Sequence, residues 1–83
     1  MSGDGDWDGW GTDDGMHIVH VSSRACSAEE AVAQLVQRAR RKYGVSLDLI
    51  MWRFWVKKVD SIVPGQLLHY RVDESGRPVP LDL

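Results

Sequence analysis

Eighty-three residues and 9.4 kDa leave room for one small domain, because a second would need roughly 50 further residues around its own core. Apolar residues are 43% and charged residues 27% of the chain, an ordinary globular balance, and no run approaches the roughly 18 apolar residues of a membrane span. The single Cys26 excludes an internal disulfide framework, and with no basic-then-apolar leader at the start a cytoplasmic, non-membrane protein is expected.

The net charge of −2 hides a division along the chain. Residues 1–15 carry Asp4, Asp6, Asp8, Asp13 and Asp14 with no cation, a local charge of −5, together with five of the eight glycines. The remaining residues carry all ten Lys and Arg against seven acids, net +3. A stretch so poor in aliphatic side chains cannot offset its conformational entropy by burial, so residues 1–15 are expected to form a flexible acidic arm ahead of a domain spanning 16–83. Two indoles, Trp7 and Trp10, interrupt it, and each could bury on the order of 200 Å² against a partner. Asp4-Gly5-Asp6-Trp7-Asp8-Gly9 also has the D-x-D-x-D-G form of half a calcium loop. The twelfth position is Gly15 rather than a bidentate glutamate, which favours an acidic tail over a metal site.

Met16–Ser22 is rich in β-branched residues and predicts a strand, followed by a turn over Arg24–Ser27. Ser27-x-x-Glu30 is the pattern in which a serine oxygen and a glutamate satisfy the open amides of a helix start. Ala28, Ala31, Val32, Leu35, Val36, Ala39 and Tyr43 then recur at three- and four-residue spacing, predicting an amphipathic helix of about four turns that Gly44 ends. Val45–Val59 lacks a polar helical face and reads as a strand. Val45, Leu47, Leu49, Met51 and Trp55 then share one side, and Ile50, Trp52, Phe54 and Val56 the other. Val63-Pro64-Gly65-Gln66 fits a type II turn, Leu67–Val72 a strand, Asp73–Gly76 a second turn and Arg77–Leu81 a last strand. Pro78 and Pro80 confine that last strand to a sheet edge. The expected fold is α+β, in the order β-α-β-β-β, with one helix on one face of a mainly antiparallel sheet.

One helix shelters one face, so the second apolar set of the 45–59 strand calls for another cover. Trp52 and Phe54 are accordingly expected to anchor contact with another protein, with Trp7, Trp10, Asp4, Asp6 and Asp8 as a further contact. The other candidate covers are a second copy of the chain and the arm itself, folding Trp7 and Trp10 back over the sheet. The expected function is a non-enzymatic protein-interaction module, an inhibitor or adaptor, with no cofactor. The second reading is nucleic-acid binding through Arg38, Arg40, Arg41 and Lys42 at the helix end, extended by Arg53, Lys57 and Lys58. His17, His20, Cys26 and His69 include zinc-ligand types, but their spacing fits no tetrahedral site. No phosphate loop and no framed pair of acids is present, so no enzyme is expected.

The β-α-β-β order, a tryptophan in its second strand and Gly65-x-x-x-His69-Tyr70 together resemble the dodecin-type flavin-binding oligomers. That resemblance implies a small oligomeric ligand-binding protein, and the Asp73–Pro80 segment departs from it. The size and the acidic start also resemble phage-encoded inhibitors and immunity proteins.

Overall fold

The computed structural model describes residues 5–13, 15–44, 48–59 and 67–81. Five strands, β1 (Gly5–Thr12), β2 (Ile18–Ala25), β3 (Arg53–Lys58), β4 (Leu68–Val72) and β5 (Pro78–Pro80), form one antiparallel sheet in the order β2-β1-β3-β4-β5. The helix α1 (Ala28–Tyr43) packs on one face of it. The fold is thus the expected α+β arrangement, with the sequence from β2 onward running β-α-β-β-β. No helix among the described residues is long and apolar enough to cross a membrane.

The flexible arm is the principal correction. Gly5–Thr12 is a strand inside the sheet, paired with β2 along its whole length and with β3 from Trp7 to Thr12. Its alternation explains why. Gly5, Trp7, Gly9 and Gly11 share the register of Ala25, Ser23, Val21 and Val19 beneath the helix, while Asp6, Asp8, Trp10 and Thr12 take the opposite face. A Cβ on Gly9 would lie 2.7 Å from Leu35 Cδ1, and one on Gly11 would lie 2.7 Å from two ring carbons of Phe54. The segment contributes its lack of side chains, and neighbours fill the space. Composition judges only what a segment can bury itself, so it misreads a strand that is buried as backbone.

The β1–β2 turn is held by Asp13, whose carboxylate accepts the His17 main-chain N–H at 2.8 Å and lies 2.6 Å from His17 Nδ1. Gly15 has φ +96°, a conformation open to glycine, and its N–H donates to Thr12 Oγ1. β2 continues to Ala25, so the turn expected over Arg24–Ser27 begins two residues later. Ser27 Oγ accepts the Glu30 N–H at 3.2 Å and Glu30 reaches back to the Cys26 N–H, the expected capping at the helix start. Ala28, Ala31, Val32, Leu35, Val36 and Ala39 are buried, as the spacing predicts. Gly44 closes the helix at φ 120°, its N–H donating to the Arg40 carbonyl.

The second correction lies after the helix. β3 starts only at Arg53, and a turn at Ile50–Met51 precedes it, with the Trp52 N–H donating to the Leu49 carbonyl. Leu49 and Trp52 are both buried while Ile50 and Met51 are exposed, which no single strand from 45 could arrange. Val45, Ser46 and Leu47 fall outside the described residues, as does the expected turn at 63–66. Trp52 is 1% and Phe54 0% exposed, and their rings stack within the core at 6.0 Å beside Leu35, Val56 and Val72. They are therefore core residues and offer no surface to a partner. The expected alternation holds only within β3, from Arg53 to Lys58, and there it is the Phe54 and Val56 side that the helix covers.

β4 and β5 are joined by Asp73, whose Oδ1 accepts the Ser75 and Arg77 N–H groups and the Ser75 hydroxyl. β5 is an edge strand, as its prolines require. The Leu81 N–H donates inward to the His69 carbonyl, so the alternate positions Pro78 and Pro80 face outward, where neither has an N–H to offer.

Candidate functional site

The face of the sheet away from α1 carries a row of rings four strands wide. The register sets His20 of β2 opposite Trp10 of β1, Trp10 opposite Trp55 of β3, and Trp55 opposite His69 of β4. Trp10 and His20 stack at 5.2 Å and 19°, and Trp55 and His69 lie 4.8 Å apart with rings tilted by 47°. Both indoles are half-buried, and with Lys57 and Leu67 they line a shallow hollow of about 500 Å³. Both ring nitrogens of His69 are buried with no hydrogen-bond partner among the described residues.

Charges of both signs flank this row. Thr12, Arg53 and Arg71 lie on one side, with both arginines exposed. On the other side Asp8 sits between Ser22 and Lys57, and its Oδ1 accepts the Ser22 hydroxyl at 2.5 Å. Beyond it, Asp6 Oδ1 and Arg24 Nε approach to 3.8 Å, a mostly solvated pair that contributes little to stability.

The residues singled out from sequence are scattered by this arrangement. Trp10, Asp6 and Asp8 lie on the open face, whereas Trp7 packs against the core on the helix side. Asp4 falls outside the described residues. The basic cluster divides three ways. Arg38, Arg41 and Lys42 lie along the β2 margin, Arg40 sits near Asp48 and Asp73, and Lys57 is on the open face. It is not one continuous patch. Asp6 and Asp8 occupy an extended strand, which cannot curl its carboxylates around an ion as a calcium loop does.

Other chemical candidates take structural places. His17 belongs to the Asp13 turn, meets the Tyr43 ring edge-on at 4.6 Å and lies roughly parallel to Trp52 at 6.3 Å. Cys26 Sγ is 2.9 Å from Glu30 Oε2 at the helix start. Among the described residues no three His, Cys, Asp or Glu side chains gather as metal ligands. Sequence reasoning passed over Trp55, His20, His69 and Arg71 as a surface, and placed Arg53 with the basic helix end rather than beside these rings. The available signal was the alternation Gly9-Trp10-Gly11, which sends one indole away from a face that tolerates only glycine.

Comparison of the chain with protein-family models, with curated proteins and with solved structures finds no match.

Proposed function

We propose that this chain is a non-enzymatic binding module whose open sheet face, centred on Trp10 and Trp55, docks against another protein. The observation that carries this reading is the placement of two indoles as direct cross-strand neighbours, in the middle of the face that α1 does not cover. Tryptophan and arginine supply much of the binding energy at protein interfaces, and here Arg53 and Arg71 border the indoles. Asp6 and Asp8 on the same face weigh against a phosphate backbone, which they would repel. An apolar centre inside a rim of mixed charge suits a protein surface. Such a module acts by occupying its partner, as an inhibitor or adaptor does.

The test immobilises the purified chain and its Trp10→Ala/Trp55→Ala variant, then passes extract of the native host, with and without nuclease treatment, over each at low and high salt. A protein retained by the wild type at both salt concentrations and lost by the double variant is the expected result. Retention that disappears with nuclease treatment, or falls steeply with salt, would assign the ring row to single-stranded nucleic acid instead. Retention that ignores the tryptophans would rule the face out.

A further inference from the structure

We infer that the outer margin of β2 is a second binding site, which takes up an extended, acidic segment of a partner protein as a sixth strand. This site adjoins the open face, sharing His20 and Trp10 with it, but does not rest on the function proposed for that face.

β2 ends the sheet, and its unpaired side can be followed residue by residue. The Ile18 N–H donates to the Tyr43 hydroxyl, and the Ile18 carbonyl accepts from Tyr43 and from Lys42 Nζ. At the far end, the Arg24 carbonyl accepts from Gln34 Nε2. Main-chain groups of an antiparallel strand point alternately to either side, so residues 18, 20, 22 and 24 all direct theirs outward. Helix side chains thus close both ends of the margin. Between them the N–H and C=O groups of His20 and Ser22 stand unpaired among the described residues, four groups spaced to receive a strand.

The occupant's chemistry follows from what flanks that window. Arg38, Arg41 and Lys42 project from α1 beside β2, lining with Ile18 and His20 a hollow of about 710 Å³. A strand laid there would send alternate side chains toward these cations and the others toward His20 and Trp10. Carboxylates suit the first set and apolar side chains the second. A second copy of this chain is the poorer occupant. Pairing β2 with its own twin would bring two sets of Arg38 and Arg41 together, a like-charge contact that opposes dimerisation.

The probe is a synthetic peptide of alternating glutamate and valine, as long as β2, with a lysine–valine peptide as control. Titration into the isotope-labelled full chain should protect the His20 and Ser22 amides from exchange with the glutamate peptide alone. Arg38→Glu/Arg41→Glu should weaken binding by roughly tenfold. N-methylating alternate residues of the peptide should abolish binding in one register and spare it in the other, a control that leaves the protein untouched. The inference is overturned by absence of binding, by equal binding of the lysine peptide, or by indifference to N-methylation. It is also overturned if shifts are confined to Trp10 and Trp55, or if His20 and Ser22 are already protected by dimerisation of the chain alone.

Discussion

Gly11 and Phe54 are register partners across β1 and β3, and the space a Cβ would take on Gly11 is occupied by the Phe54 ring edge, at 2.7 Å from both Cδ1 and Cε1. Gly11→Ala should therefore cost about 1–3 kcal/mol, as overfilling a packed core does. Gly9→Ala should cost less, since the nearest atom it meets is a terminal methyl carbon of Leu35 that can rotate away. Urea denaturation midpoints check both. A freely moving segment would accept either alanine without loss, so an unchanged midpoint would contradict the placement of β1.

Trp52 and Trp55 stand three residues apart with opposite roles. Trp52→Ala should remove about 3–5 kcal/mol, the usual loss for a large aromatic taken from a core. Trp55→Ala should cost no more than about 1.5 kcal/mol, chiefly its tilted ring contact with His69. Comparing the two by thermal and chemical unfolding separates the buried indole from the presented one, and reversal of their order would invert the assignment of faces.

Two turn carboxylates make stability depend on acid. Asp13 is held below the usual carboxylate range first by its side-chain bond with His17 and then by the His17 main-chain N–H. Asp73 is held low first by the Arg77 N–H and next by Ser75. A carboxylate depressed in the folded state stabilises it above the unfolded pKa, and that contribution is lost as pH falls through the folded value. Stability should therefore decline in moderately acidic to acidic solution. Asp13→Asn and Asp73→Asn should each flatten the decline, as unfolding midpoints collected across that range will show.

At the alkaline end the relevant group is Tyr70, whose hydroxyl donates to Glu29 Oε2 at 3.1 Å. Burial raises its pKa, and the bond and charge of Glu29 raise it further. A raised phenol stabilises the fold fully below the unfolded pKa, and this support is lost as pH rises through the folded value. Following tyrosinate absorbance, Glu29→Gln should let Tyr70 ionise at a lower pH than in the wild type. An unmoved titration would show that burial alone sets it.

Much of the architecture was legible because it rests on local signals. Ser27 and Glu30 mark a helix start through bonds between near neighbours, and the Ala28–Ala39 spacing fixes the buried side with no knowledge of the sheet. Pro78 and Pro80 declare an edge strand through the donors they lack. What stayed hidden depends on distant partners. Gly9 and Gly11 look like linker residues until Leu35 and Phe54 are seen above them. The two sides of β3 were separable by alternation, yet which one faces α1 depends on how the chain enters from Leu49 and Trp52. The ring row joins residues from four strands, so no short window of sequence contains it.

The prolines of β5 also bear on solubility. A molecule able to accept main-chain partners on both flanks of its sheet can recruit copies without limit, the route to cross-β fibres. Here one flank, among the described residues, presents Pro78 and Pro80 toward solvent, so a neighbour arriving there finds no N–H groups to bond at those positions. Growth by end-to-end stacking needs both flanks and would stall at its first addition.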